Sequence, residues 1–376
     1  VTANLNNEDD PPSEHRGRRA RVTWASGIVP EPVKWLWAPD DQGRIPVGSL
    51  CTPAGRQGTG KSSFGLWMCA ELSKGTLPGC YKGMPRNVLY VAVEDSWTHT
   101  LVPRLIAAEA DLNRVGRFDV VVDADIETTL SLPVDNRLLE EVIVENDVSL
   151  VVIDPLLSTI GAGIDTHRER EVRSALDPLA RIADRTGAVV LGVAHFNKGS
   201  SGDAASLITG SGAFKNVPRS VFAFARDDAA PQGGRVMTQV KNSLGQEGLP
   251  SLAYVIEEAK VPTAHGIAHT GKFRFTGKSE RSVEDILQET RVGDLETRSE
   301  RTEAEQWLLD YLDDNEAKAA DVLKDAKADG IAESTLKRAR FRLGVRSVRV
   351  GFGKGTVWSL DPLKPQSAHP DQPSDG

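Results

Sequence analysis

The sequence predicts an α/β domain built on a mostly parallel, twisted sheet, followed by a small unit with the element order of a winged helix. Three observations predict this. From Val47 to Val261 short apolar runs alternate with helical segments. A glycine-rich turn with a single lysine follows the first run. After Thr302 the pattern becomes three short helices, then two strands around a Gly-rich turn.

Taken in order, the strand candidates are SLCTPA, NVLYVAVE, RFDVVVD, VSLVVIDP, GAVVLGVAH, SVFAFAR, RVMTQVK and SLAYVIEE. Several are apolar on consecutive positions, as in strands covered on both faces. The helical segments between them are Lys61 to Leu72, Trp97 to Ala110, Val134 to Glu145 and Arg168 to Arg185. In the last, Val172, Leu176, Leu179, Ile182 and Ala183 mark one apolar face, with a kink expected at Pro178. Such alternation gives a parallel sheet with sites at the carboxyl ends of its strands.

Composition bounds the partners. Hydrophobic residues make up 39% and charged residues 26%, the values of an ordinary globular protein. The net charge of −8 argues against uniform coating of nucleic acid and leaves local basic patches open. No apolar run approaches the roughly 18 residues that cross a bilayer, and the polar first residues read as neither signal nor anchor. The 3 cysteines form no CxxC pair, and Cys51 and Cys69 lie in apolar stretches as reduced core residues, which fits the cytoplasm.

Gly55-Arg56-Gln57-Gly58-Thr59-Gly60-Lys61-Ser62, followed by Ser63, fits G-x-x-x-x-G-K-[ST]. Glycines at this spacing let successive N–H groups turn inward on phosphates, and the following helix presents its positive end. Lys61 is then expected to reach the β- and γ-phosphates of ATP, and the Ser62 hydroxyl to ligate Mg²⁺. VSLVVIDP supplies a strand-ending acid, Asp154, to hold that metal; its rival reading is an Asp that starts a turn before Pro155. LYVAVEDS ends in adjacent acids, of which Glu94 is the expected base for the attacking water and Asp95 the second choice. A carboxylate at that strand end would face the γ-phosphate if the strand lies beside the P-loop strand. His195 in GVAHFNKG reads two ways, as a satisfied core histidine or as a γ-phosphate sensor, with Lys198 in a DNA-facing loop after it. Arg219 and Lys241 flank a later strand pair; each reads as a surface cation or as a group reaching a neighbour's γ-phosphate.

These motifs, GSLCTPAGRQGTGKSSF, NVLYVAVEDS, VSLVVIDPLLS, LDPLARIADRTGAVVLGVAHFNKG, GSGAFKNVPRSVFAF and VMTQVKNSLGQ, occur in one order over about residues 33 to 261. In that order the chain resembles the RecA/DnaB-type ATPases, most closely the RepA-like group of plasmid and phage hexameric helicases. The resemblance implies a RecA-like core, a ring (a hexamer), ATP with Mg²⁺, and single-stranded DNA at the ring centre. It makes Glu94 the water-activating acid, Asp154 the metal residue, His195 a sensor, and Arg219 or Lys241 a group acting in trans. Two departures stand out. Thr209 occupies the family's usual Arg before GS, and Lys241-Asn242-Ser243 replaces Lys-x-Arg, which puts the arginine finger in doubt.

The expected organisation is a disordered segment over 1–24, an ATPase domain over 25–277, a linker or exposed helix over 278–301, a winged-helix-like domain over 302–364 and a disordered tail over 365–376. Between Ser334 and Leu360 the charged residues are all basic. Ser334 is the expected N-cap of TLKRARFRLG, whose Leu336, Ala339 and Leu343 face a core. Lys337, Arg338, Arg340 and Arg342 then face solvent and fit a duplex groove, with Lys354 in the GFGKG wing near a phosphate. A protein-docking role is the rival. The chain therefore reads as a cytoplasmic DNA-dependent ATPase, a replicative helicase of a phage, plasmid or integrated element. The rival readings are an ATP-switched DNA-binding factor that unwinds nothing and a recombination mediator.

Overall fold

A computed structural model describes residues 21–122, 126–197, 204–208, 210–230, 233–312, 316–349 and 356–360, with the backbone alone over 291–302 and at 349. The segment 1–20, the tail 365–376, Lys198, Thr209 and the wing residues including Lys354 lie outside the described residues.

A short antiparallel ribbon, β1 (Trp35–Trp37) and β2 (Ile45–Pro46), precedes the main sheet. β3 (Leu50–Gly55) is buried along its whole length and leads through the glycine-rich turn into α1 (Lys61–Lys74). Then come β4 (Asn87–Ala92), α2 (Val102–Ala107), β5 (Val115–Arg117), and a separate ribbon of β6 (Val120–Val122) with β7 (Ile126–Thr128). α3 (Asn136–Glu145), β8 (Val148–Asp154), α4 (Glu169–Thr186), β9 (Val189–Gly192) and β10 (Ala194–His195) complete the first half. After the single turn α5 (Ala213–Asn216) the chain forms β11 (Ser220–Arg226), β12 (Arg235–Asn242), β13 (Ser251–Thr263) and β14 (Gly266–Ser279).

The main sheet runs β14-β13-β12-β11-β3-β9-β8-β4-β5, with β10 also on β3. β11, β3, β9, β8, β4 and β5 are parallel, and β12 to β14 add an antiparallel flank. This bears out the α/β expectation of a RecA-like core with a mostly parallel sheet. Strand residues alternate between two cores, as the two-residue period requires. Val151 and Ile153 of β8 face a cluster with Val172, Leu176 and Leu179 of α4, whereas Leu150 and Val152 face a cluster with Phe64 and Met68 of α1. α4 continues through Pro178.

Several expected elements have different bounds. RFDVVVD splits: β5 pairs with β4 while β6 turns away to pair with β7. The segment from Trp97 is a π-turn up to Leu101 and an α-helix only to Ala107. β14, which the sequence reading did not include, pairs with β13 from Ser251↔Ser279 to Thr263↔Gly266.

The antiparallel flank is fastened to α1 by aromatic rings. Phe64 and Trp67, one turn apart on α1, meet Trp37, Phe222, Phe224, Phe273 and Phe275 at centroid distances from 5.0 to 6.4 Å. Tyr254 stacks on Phe273 at 4.7 Å. Rings of this size carry much of a core's burial energy, and tilted or edge contacts suit their quadrupoles.

The stretch expected to be a linker is ordered differently. β14 runs to Ser279, and α6 (Val283–Tyr311) starts at once with a capping box between Ser282 and Asp285. Val283, Ile286 and Leu287 are buried with the α4-side core, so this part of the chain is a packed helix and not a flexible tether. A third apolar cluster joins the end of α6 to β15 (Ala317–Lys318), α7 (Ala319–Ala328), α8 (Glu333–Leu343) and β17 (Thr356–Ser359), and β16 (Arg346–Arg349) pairs with β17. The small sheet is ordered β15-β17-β16. Leu336 and Ala339 are buried and Leu343 partly so, as expected. Ser334 is not the cap: Ala332 is, in extended conformation just after Gly330 at φ 83°, so the helix starts at Glu333 without a side-chain cap. Among the described residues no helix is long and apolar enough to cross a membrane.

Phe64 is fully buried at the centre of the aromatic cluster. Phe64→Ala should cost about 3–5 kcal/mol of stability in a denaturant titration. A loss below about 1 kcal/mol would mean that the flank is fastened elsewhere.

Candidate active site

The loop after β3 takes the shape its glycines permit. Gly58 and Gly60 have φ of 75° and 99°, conformations that side chains with a Cβ disfavour. Gly60 then serves as the N-cap of α1, so the loop ends on a helix amino-terminus. Gly55 is hemmed in as well: an added Cβ would lie 2.5 Å from the Phe224 carbonyl oxygen. Thr59 Oγ1 and Lys61 Nζ both donate to the Arg56 carbonyl, at 2.8 and 2.9 Å. The lysine is only 4% exposed, and burial brings its pKa down to about 8 against the opposing pull of Asp154.

A cavity of about 380 Å³ opens over this loop, and the sequence-predicted residues converge on it. Gln57, Gly58, Gly60, Lys61, Ser62, Ser63, Glu94, Asp95, Asp154 and His195 all line it. The sheet order explains the convergence. β9 lies between β3 and β8, and β4 lies beyond β8, so the carboxyl ends of four parallel strands face one crevice. The Glu94 strand is therefore not beside the P-loop strand, which corrects the expected arrangement. Glu94 reaches the cavity because it lies two residues past the end of β4.

The two adjacent acids differ in their surroundings. Asp95 is held by Arg104 of α2 at 3.4 Å, whereas Glu94 is exposed and has no ion-pair partner among the described residues. His195 is half-buried beside the loop, with its backbone in register with Gly55. Burial and then the Lys61 charge lower its pKa, which favours the neutral imidazole, while Asp154 and Glu94 oppose them.

Asp154 accepts a hydrogen bond at Oδ2 from the buried Tyr90 hydroxyl (2.7 Å). That contact fixes the carboxylate; burial, then the Asp154 charge and its hydrogen bond, holds the phenol's pKa well up. Ser62 and Asp154 present a hydroxyl and a carboxylate to one cavity, an all-oxygen set that suits Mg²⁺ sharing its shell with phosphates and water. Among the described residues no cluster of three or more His, Cys, Asp or Glu could hold a metal ion.

Other predicted residues lie apart from the cavity. Arg219 donates its backbone N–H to Leu50, at the start of β3, so it sits at the opposite end of the sheet from Gly55. Lys241, opposite Val221, is at that same end and donates from Nζ to the carbonyls of Lys215 and Asn216. Neither approaches its own P-loop. On α8, Arg340 is not turned to solvent: its guanidinium lies 4.9 Å over the Trp358 ring. Lys337 pairs with Glu333 and Arg342 with Glu305, both at 2.5 Å, and Arg338 is exposed.

The cavity also contains residues that sequence reasoning missed. Tyr90 was visible in principle, since Tyr90, Ala92 and Glu94 recur at the two-residue period of one strand face. Arg235 and Ile256 line the opposite wall, and the Tyr254 hydroxyl donates to the Thr59 carbonyl at 2.5 Å. No local pattern announces these three, because they come from the antiparallel flank.

Comparison with known proteins agrees with this geometry. The profile of the AAA domain family matches residues 11–201, which contain the loop, Glu94, Asp154 and His195 and amount to more than half of the 376 residues. The chain belongs to that family, and it is thereby a nucleotide-binding P-loop protein of the ATPase class. A KaiC-like protein of the hyperthermophilic archaeon Pyrococcus horikoshii OT3, known from its crystal structure, is similar at a TM-score of 0.45 and 17% identity, over 63% of this chain and 99% of that one. No curated protein matches.

The lowered pKa of Lys61 has a measurable sign. Phosphates attract the ammonium form and raise its pKa on binding, so affinity is full below the free value of about 8 and falls as pH rises through it. Calorimetry with ATP in buffers of different ionisation enthalpy should show proton uptake near that pH. A flat affinity there, with no proton uptake, would mean that Lys61 is already fully charged without ligand.

Proposed function

We propose that this AAA-family chain is a DNA-dependent ATPase, a ring-forming replicative helicase of the RepA-like type from a phage, plasmid or integrated element. The observation that carries the reading is the convergence of Lys61, Ser62, Glu94, Asp154 and His195 on one cavity at the strand ends. In this reading the loop amides and Lys61 hold the β- and γ-phosphates of ATP. Ser62 and Asp154 hold Mg²⁺, which neutralises charge that develops on the phosphates. Glu94, free of Arg104, accepts a proton from the attacking water while Asp95 stays tied. Neutral His195 donates or accepts a hydrogen bond toward the γ-phosphate and links that position to the chain that follows it. Arg219 and Lys241, remote from their own loop, act only on a neighbouring subunit's nucleotide, in a ring of six. The unit from the end of α6 to β17 is a winged helix that contacts duplex DNA through Arg338 and the neighbouring cations.

A second reading keeps the ATP site and drops the unwinding: an ATP-switched DNA-binding factor. One observation favours it: Asn242 and Ser243 follow Lys241 where an arginine finger would stand.

Glu94→Gln should keep nucleotide binding and lower turnover by about 10²–10⁴-fold, whereas Asp95→Asn should do much less. Wild-type turnover by the Glu94 variant would move the base elsewhere. A forked-DNA strand-displacement assay, with particle size measured with and without an ATP analogue, separates the two readings. A nucleotide-dependent ring that displaces the strand is the expected result; turnover without displacement would leave the switch.

A further inference from the structure

Two arginines face each other across the β11–β12 pair at the edge of the P-loop: Arg226 and Arg235 are directly opposed in register. Like charges opposed on neighbouring strands repel, so such a pair persists where something anionic compensates it. Among the described residues no carboxylate pairs with either. Asp227, next in sequence, is taken by Arg281 at 2.6 Å. Arg235 is half-buried and its Nε is fully buried with no hydrogen-bond partner, while its Nη1 reaches only the Gly233 carbonyl at 3.0 Å. Burial lowers its pKa, with Tyr254 opposing and the Arg226 charge adding to the shift. A buried guanidinium N–H without an acceptor costs free energy unless a ligand supplies one.

Both side chains are aimed at the nucleotide loop. Arg235 lines the same cavity as Gln57, Gly58 and Gly60. Arg226 Nη2 stands 3.5 Å from where a Cβ on Gly58 would be. The cavity is therefore polarised. Its acids, Glu94, Asp95 and Asp154, come from strand ends on one side of β3, where its other arginine, Arg104, is tied to Asp95, and Arg235 comes from β12 on the other side. Hydrolysis chemistry belongs to the acid side, so the arginine side meets the part of the nucleotide that does not react.

We infer that Arg235, with Arg226 opposite it, binds the α- and β-phosphates of the nucleotide in cis and so grips ATP and ADP alike. The inference rests on the nucleotide-binding reading of the cavity and adds a site that does not depend on a neighbouring subunit. A guanidinium fork suits paired phosphate oxygens better than an ammonium does, so Arg235→Lys should recover only part of the affinity.

The test titrates the full chain with fluorescent ATP and ADP analogues in the presence of Mg²⁺. Arg235→Ala should weaken both nucleotides on the order of tenfold, with their affinity ratio preserved, and Arg226→Ala should do the same to a smaller degree. Unchanged affinities in a folded Arg235 variant would overturn the assignment and leave the arginine as a packing group. Loss of ATP affinity alone would also overturn it, by moving the contact to the γ-phosphate. If Arg235→Ala does not fold, exposed Arg226 decides: unchanged binding of both nucleotides by its alanine variant refutes the pair. A wild-type chain that binds neither nucleotide would instead refute the parent reading, so the two failures are distinguishable.

Discussion

The site depends on holding the loop after β3 in a shape its own backbone cannot hold alone. Two of its glycines have positive φ, and no regular hydrogen-bond ladder runs through it. Its shape is imposed from outside. The Tyr254 hydroxyl grips Thr59 from β13, and the Phe196 N–H grips the Gly55 carbonyl from the end of β10. Inside the loop, the Arg56 carbonyl collects hydrogen bonds from Thr59 and Lys61. That last bond gives the buried lysine an acceptor in the absence of a phosphate, which explains how a cation can be stored in so dry a place.

The aromatic cluster does for the flank what these hydrogen bonds do for the loop. Phe64 and Trp67 on α1, against Phe273 and Phe275 on β14, lock three antiparallel strands to the helix that begins at the phosphate site. Tyr254 and Ile256 are thereby brought against Gly60, where an added Cβ would meet Ile256 at 3.2 Å. Packing in one layer thus shapes the backbone in another. The result is a cavity with acids on one wall and Arg235 on the other, a charge arrangement that a phosphate chain with a bound cation would complement.

The carboxy-terminal unit shows how composition can mislead about a surface. The α8 region is rich in basic residues, yet Arg340 covers Trp358, and Glu305 and Glu333 hold two of its neighbours. Arginine stems and guanidinium faces pack well on indole rings, so a basic residue can be a core residue. A count of charges along the sequence cannot distinguish a cation that covers an aromatic ring from one that faces a ligand.

Much of the core was legible because its signals are local. β3, β8 and β11 are continuous apolar runs, and they appear close to their expected bounds. Gly55 to Ser62 specify their loop by glycine spacing, and Asp154 and Glu94 are legible as acids at strand ends. β14 was not, because its residues are mostly polar and it is held chiefly by pairing with β13. The start of α8 was misjudged because an extended backbone at Ala332, and not a hydroxyl side chain, sets it. The amino-acid order by itself thus determined the phosphate loop, the parallel sheet and the acids that share its crevice, since each follows from neighbours a few residues apart. Only the tertiary structure decided that Asp95 is tied while Glu94 is open, that Arg219 and Lys241 lie far from their own loop, and that Arg235 lines the far wall with Arg226 opposite it in register. Those outcomes depend on which strands lie side by side, and pairing between distant segments leaves no periodic trace in either one.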